Sequence, residues 1–207
     1  MKIRLAPWVW LLLVTSIAFA VPTETKPLEF KSGLLTVTIH DPRDKSQLAT
    51  VFKTFKKAQS DLAEIGLEIT PVKLEAFSSA NAFAQATGEP SFVAASTRDQ
   101  MIRTQRLEAL KTRGLLEFTI RHEVFHTVQP TSLPRWLAEG LARHFSGEDA
   151  RDSGQPSGLE SVSHGKLDEM LLARDSKTAL NLVYLEVTRR AVKLIRTRGW
   201  RLTLAQK

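Results

Sequence analysis

The pattern of hydrophobic and polar residues predicts strands mainly in the first half of the chain and helices throughout the second. Residues 35–39 alternate around β-branched side chains, which predicts a strand. Residues 46–65 carry apolar side chains at helical spacing and are followed by Gly66, which predicts a helix. The same patterns predict a short helix at 79–87, strands at 91–96 and 100–105 around a turn at 97–99, and one or two strands within 67–76.

A second group of helices is predicted after residue 114. Residues 115–129 have apolar side chains on nearly every side, which is typical of a helix buried in the middle of a domain. Pro130 ends this helix, and Pro134 begins the next, which runs to Gly147. The remaining prediction is a polar loop at 148–164 followed by helices near 166–173 and 179–198.

The first 20 residues have the pattern of a secretory signal peptide. Lys2 and Arg4 precede an apolar run, and residues 18–20 form a small-x-small cleavage sequence. The apolar run of about 11 to 13 residues is shorter than the ~20 that a membrane-spanning helix needs, so cleavage is favoured over an uncleaved anchor. We therefore expect an exported protein, periplasmic or extracellular. Its domains are a signal peptide at 1–20, a flexible lead-in at 21–33 and one folded domain at 34–207.

Composition limits the chemistry that is available to this chain. It contains no cysteine and five histidines, which excludes a disulfide scaffold, a cysteine-ligated metal site and a thiol nucleophile. The formal net charge of +7 falls to +5 when Lys2 and Arg4 are removed with the signal peptide. Nothing in the sequence resembles a nucleic-acid-binding module, so no nucleic-acid partner is expected. The predicted fold class is α+β: a small N-terminal mixed sheet, a central helix and a helical C-terminal half.

A metal-binding motif lies on the predicted central helix. Residues 122–126 read HEVFH, and His122 and His126 share one helix face because they are four residues apart. Both imidazoles can therefore reach one ion, and Zn²⁺ is the ion that suits this ligand type. Glu123 lies about 100° round the helix, where it can accept a proton from water without binding the metal.

The next predicted helix supplies a third candidate ligand. Glu139 lies in its second turn, and two helices joined by a tight connection run roughly antiparallel, so Glu139 can face the two histidines. Gly140 would let these two helices approach closely. Gln129 and Ser132 occupy the positions where the HExxHxxGxxH class needs Gly and His, which excludes that class. The alternative is a buried polar cluster without a metal.

The sequences HEVFHTVQ and LPRWLAEGLARHF resemble those of gluzincin-type zinc metallopeptidases, the peptidase MA-like domains of exported bacterial proteins. The resemblance implies a zincin-like single domain in which His122, His126 and Glu139 bind one Zn²⁺ ion and Glu123 is the catalytic base. It also implies a peptide or protein substrate that pairs with an edge strand, here 91–96.

The same family often carries an Asp four residues after the ligand Glu, where this chain has Arg143. Arg143 is therefore expected to pair with Glu139 or to act near the metal ligands. For the group that steadies the transition state, the candidates are Tyr184, the only tyrosine, together with His144 and His164. Each of the three also has a purely structural interpretation: Tyr184 packs in the core, His144 is a surface or packing residue, and His164 belongs to an ordinary polar loop.

A basic amphipathic segment near the C-terminus suggests a second kind of partner. Its cations include Arg189, Lys193 and Arg196, interleaved with apolar residues. Such a helix can contact an anionic membrane or cell-wall polymer, but an ordinary solvated helix face is the favoured interpretation. The alternative function is therefore a non-catalytic zinc-binding envelope scaffold or binding protein. The sequence predicts no particular oligomeric state.

Overall fold

The computed structural model describes residues 26–152, 154–173 and 176–205. The predicted signal peptide and residues 21–25 of the predicted lead-in lie outside these ranges. No helix within them is both long enough and apolar enough to cross a membrane.

Among the described residues, five strands form one mixed sheet in the first half of the chain. They are β1 (Leu28–Ser32), β2 (Leu35–Ile39), β3 (Val72–Ala76), β4 (Ala95–Arg98) and β5 (Met101–Thr104), in the spatial order β1-β2-β3-β5-β4. The two inner pairings, β2 with β3 and β3 with β5, are parallel, and the two edge pairings are antiparallel. Alternate residues of β2 and β3 are buried, as the period of two in these strands requires.

Two predictions about the sheet are wrong in part. Residues 28–32 were assigned to the flexible lead-in but form β1, because they pair in register with β2. The hairpin strands were expected at 91–96 and 100–105, whereas β4 and β5 are shorter and turn at Asp99 and Gln100. Both turn residues have positive φ (50° and 61°), the conformation of the tight hairpin turn that suits the twist of antiparallel strands.

Seven α-helices lie within the described ranges. They are α1 (Leu48–Glu64), α2 (Ala80–Thr87), α3 (Leu107–Thr112), α4 (Leu116–His126), α5 (Arg135–Ser146), α6 (His164–Ala173) and α7 (Lys177–Leu204). Helix α7 contains a break at Gly199, whose φ of 77° is not helical.

The predicted α+β class, with its small mixed sheet and helical C-terminal half, is confirmed.

Helix α3 was not predicted, because its cap is remote in sequence. The side chain of Arg106, which precedes it, makes no capping hydrogen bond. Instead the buried carboxylate of Asp44 accepts hydrogen bonds from the backbone N–H groups of Leu107 (2.9 Å) and Glu108 (3.0 Å). A carboxylate at a helix N-terminus satisfies otherwise unpaired donors and suits the helix dipole.

Helix α4 lies in the core and contacts α1, α3, α5 and β4. Ile120, Val124 and Phe125 are fully buried, which agrees with the all-round apolar pattern of this segment. The packing holds the backbone of α4 between the edge of the sheet and α5. Side chains on the face toward β4 and α5 are therefore held on a rigid element.

Gly140 permits a close helix contact, but with a different partner from the one expected. A Cβ atom at Gly140 would lie 2.4 Å from the carbonyl oxygen of Val187 and 2.8 Å from the Cβ of Ala191. Both of these residues belong to α7, so the expectation that Gly140 serves the approach of α4 and α5 is wrong. The glycine lets α5 pack against the backbone of α7.

Candidate metal centre

Helices α4 and α5 bring His122, His126 and Glu139 together. The Nε2 atoms of the two histidines are 3.0 Å apart, and Oε2 of Glu139 lies 3.4 Å from Nε2 of His122 and 3.5 Å from Nε2 of His126. One ligand atom from each residue thus lies within 4.8 Å of the others. In a tetrahedral zinc site with bonds of about 2.0–2.1 Å, neighbouring ligand atoms are about 3.3 Å apart. The three residues fit such an ion by distance.

The outer ring nitrogens of the two histidines face acceptors. Nδ1 of His126 lies 2.8 Å from Oε1 of Gln129, and Nδ1 of His122 lies 3.2 Å from Oε1 of Glu148. The second contact is an ion-pair distance that falls short of good hydrogen-bond alignment. In the neutral form of each ring, an acceptor on the outer side favours a proton on Nδ1, which leaves a lone pair on Nε2. Two lone pairs and a carboxylate oxygen then point at one place, where a cation is the natural complement.

The ionisation of these groups reflects the same clustering of charge. Burial alone would lower the pKa of His122, but the carboxylates of Glu148 and Glu139 outweigh it and raise the pKa well above its usual value. Burial alone would raise the pKa of Glu139, but the imidazoles of His126 and His122 hold it well below its usual value. The carboxylates thus create a potential that favours positive charge between the two rings.

The Glu123 carboxylate borders the same cleft as His122, His126 and Glu139, but it is not one of the three converging groups. Its side chain is buried, with 6% exposure, although it borders the cleft described below. Thr97, on the edge strand β4, donates a hydrogen bond of 2.7 Å to Oε2 of Glu123, and the same hydroxyl lies 3.2 Å from the Glu123 backbone oxygen. The hydroxyl of Thr97 therefore fixes the Glu123 carboxylate relative to both α4 and β4.

Arg143 does not pair with Glu139, so that prediction is wrong. Its Nε lies 3.2 Å from Oε2 of Glu148, and its Nη2 lies 3.0 Å from Oδ1 of Asp152. Among the described residues, the arginine that lies near Glu139 is instead Arg135, whose Nη1 is 3.9 Å from Oε1. Arg143 thus holds the Glu148 carboxylate, which also faces His122. His122 and Arg143 together lower the pKa of Glu148 to about 2, although burial alone would raise it.

Tyr184, His144 and His164 are placed differently from one another. Tyr184 borders the same cleft as the histidine pair. His144 contacts Asp149 at 2.6 Å and stacks on the Trp200 ring, and His164 is exposed and stacks on Trp136 with ring centroids 4.0 Å apart. Of the three, Tyr184 alone borders the candidate centre within the described ranges.

A cleft of about 380 Å³ opens onto the candidate centre. Strand β4 borders it on one side through Ala95, Ser96, Thr97 and Arg98, and helices α4 and α5 border it on the other. The predicted edge strand therefore does lie beside the histidines, but it is the shorter strand β4 rather than 91–96. A ligand in this cleft would meet the backbone of β4 and the three converging side chains together.

Three side chains of the site were not predicted as site residues from the sequence: Thr97, Gln129 and Glu148. Glu148 directly follows Gly147, whose φ of 85° ends α5 and turns the chain. Sequence reasoning could have used this signal, since an acidic residue just after a glycine cap is turned back along the helix that it follows.

The chain matches no protein-family model and no curated protein sequence. The function of the protein is therefore inferred from the geometry of the centre and from the HEVFH motif.

Proposed function

We propose that this protein is an exported zinc-dependent metallopeptidase with a zincin-like fold. The observation that carries the proposal is the convergence of the His122, His126 and Glu139 ligand atoms within 4.8 Å, in an open cleft that Glu123 also borders. Two imidazoles and one carboxylate are the ligand set of a catalytic zinc site with one open position. Imidazole also favours zinc over magnesium or calcium, which prefer all-oxygen sites.

His122, His126 and Glu139 would hold the ion, and Gln129 and Glu148 would fix the orientation of the two rings. When bound, zinc supplies a Lewis acid that polarises the carbonyl group of the substrate and lowers the pKa of water toward ~7. The packing of α4 against α5 supports the proposal, because it holds the His122, His126 and Glu139 side chains on two contacting helices.

Glu123 acts as the general base and then as the general acid. Its carboxylate takes a proton from the attacking water while the water oxygen forms a bond to the carbonyl carbon. It then returns that proton to the nitrogen of the leaving amine as the carbon–nitrogen bond breaks. Thr97 keeps one oxygen of Glu123 in place, so the other oxygen is directed for proton transfer.

The substrate is a peptide segment that lies along β4. This strand is the edge of the sheet, and only one of its sides pairs with β5. An extended chain can add to a free strand edge through main-chain hydrogen bonds, which select for peptide but not for side chain. The resemblance of the motif to gluzincin peptidases supports the same placement, and the signal-peptide pattern of residues 1–20 supports export.

The proposal is tested by measuring hydrolysis of an unstructured protein such as reduced casein. We expect cleavage by the zinc-loaded protein, loss of cleavage with a chelator, and recovery when zinc is restored. The Glu123→Gln variant should bind zinc normally and cleave at least a hundredfold more slowly. Zinc binding without cleavage by either protein would instead indicate the non-catalytic scaffold.

A further inference from the structure

The cleft contains two arginines that the proposed reaction does not use. Arg98 ends strand β4, and Arg135 begins helix α5, so they approach the cleft from opposite walls. Charges around one cleft of about 380 Å³ act on the same ligand, because the cleft is comparable in width to the distance over which salt screens them.

Arg98 has no anionic partner among the residues that the structure describes. It is exposed, and no ion pair or side-chain hydrogen bond involves it within those ranges. Its neighbour Arg103 on β5, by contrast, lies 3.6 Å from Glu75. Arg98 borders both the metal cleft and the adjoining depression beyond β4. Its guanidinium is therefore available to a ligand that lies along the edge strand.

Arg135 is only weakly engaged. Its closest acidic contact in the part of the chain that the structure describes is Oε1 of Glu139 at 3.9 Å, and 41% of its side chain is exposed. Oε2 of Glu139 faces the two histidines of the candidate centre, so the Glu139 carboxylate interacts only partly with Arg135. The guanidinium has donors left for a second carboxylate, which it can bind through two parallel hydrogen bonds.

The acidic groups of the cleft balance these two cations only in part. Glu139 contacts the imidazoles and, at 3.9 Å, Arg135, while Glu123 accepts a hydrogen bond from Thr97. Glu89 also borders the cleft. The two carboxylates nearest the centre would be balanced by the charge of a bound divalent ion. The two guanidinium groups of Arg98 and Arg135 then outnumber the one remaining carboxylate, that of Glu89, so the cleft has a net positive charge toward a ligand.

We propose that Arg98 and Arg135 select peptides that carry a carboxylate close to the bond to be cleaved. This inference rests on the proposed peptidase function. The carboxylate belongs either to an Asp or Glu side chain or to the C-terminus of the peptide. Both present the same planar pair of oxygens to a guanidinium.

The test compares short unstructured peptides that differ only in Glu, Gln or Lys at positions around the cleaved bond, each with a free or amidated C-terminus. The zinc-loaded protein should cleave the Glu peptides about tenfold faster in kcat/KM than the Gln peptides, or the free-acid forms faster than the amides. The first result identifies an acidic side chain as the ligand, and the second identifies the C-terminus. Arg98→Gln and Arg135→Gln should remove most of the preference.

Arg103→Gln is the matched control, because Arg103 lies on the same hairpin but does not border the metal cleft. Zinc content is measured for every variant, since Arg135 contacts a proposed ligand. Peptide binding by the zinc-loaded Glu123→Gln protein is measured by calorimetry, which separates selectivity from catalysis.

Cleavage with equal rates for Glu, Gln and amidated peptides would overturn the selectivity and leave the peptidase function standing. Carboxylate-dependent binding without any cleavage would support the cationic cleft and overturn the peptidase function. Neither binding nor cleavage would overturn both.

Discussion

Nδ1 of His122 lies 3.2 Å from Oε1 of Glu148, and the other oxygen of the same carboxylate lies 3.2 Å from Nε of Arg143. A carboxylate on the outer nitrogen of a ligand imidazole fixes the ring and makes the inner nitrogen a better donor to metal. Glu148 is thus placed to orient His122, and Arg143 is placed to hold Glu148.

Replacing Glu148 with glutamine should weaken zinc binding by about 10- to 100-fold, because the amide keeps the size of the side chain but not its charge. A competition titration with a chromogenic chelator measures the affinity. Asp149→Asn is the control, since Asp149 follows Glu148 directly and contacts His144 rather than His122. Unchanged zinc affinity in a folded Glu148→Gln protein would show that the contact does not serve the metal.

Thr97→Val should slow catalysis without affecting the metal. Valine has nearly the shape of threonine but cannot donate to Oε2 of Glu123, so the base loses its fixed position. We expect kcat to fall about tenfold, as for an impaired general base, while zinc affinity stays the same. Thr97→Ser keeps the hydroxyl and should restore most of the rate. A Thr97→Val protein with normal kcat would remove Thr97 from the mechanism.

Gly140→Ala should destabilise the fold by about 3 kcal/mol, because the added Cβ would lie 2.4 Å from a backbone oxygen that cannot move alone. Thermal or urea unfolding measures the change. Gly165→Ala in α6 is the comparison, because no atom lies within 4 Å of the added Cβ there. That variant should be neutral or up to about 1 kcal/mol more stable. Equal stabilities of the two variants would contradict the close packing of α5 on α7.

The ion pair between Asp61 on α1 and Arg121 on α4 should make stability depend on pH. Burial alone would raise the pKa of Asp61, but hydrogen bonds from Arg121 (2.7 Å) and Lys57 (3.2 Å) lower it below its usual 3.8. A lowered pKa in the folded state contributes stability that is complete above the unfolded value and is lost as pH falls through the folded value.

The difference in unfolding temperature between the wild type and Asp61→Asn should therefore be constant above about pH 5 and should shrink toward zero as pH falls below the usual carboxyl range. Glu117→Gln, which breaks an exposed pair with Lys111, should change the unfolding temperature little at any pH. A difference for Asp61→Asn that grows on acidification has the wrong sign for this ion pair.

The parts of the site that were predictable depend on local periodicity. His122 and His126 share a helix face because they are four residues apart, and the structure places their Nε2 atoms 3.0 Å apart. The position of Glu139 opposite the two histidines was predictable as well, because only a short connection separates α4 from α5. The helix 46–65 and the strand 35–39 were predicted for the same reason and agree closely with α1 and β2.

The features that were missed depend on contacts between distant segments. Asp44 caps α3 from 63 residues away, so the local sequence before Leu107 contains no capping signal. Gly140 was assigned to the wrong helix contact because its partner, Val187, belongs to a helix that begins 37 residues later. Sequence periodicity gives the face of a helix but not the element that covers it.

Zinc content measured after equilibrium dialysis tests directly whether His122, His126 and Glu139 bind one zinc ion. We expect one zinc per chain in the wild type and in Glu123→Gln, because Glu123 is not among the three residues whose ligand atoms converge. His126→Ala and Glu139→Ala should lose zinc at the same free concentration while keeping the circular dichroism of the folded protein. Absence of zinc from the folded wild type, or full zinc occupancy in both ligand variants, would contradict the account.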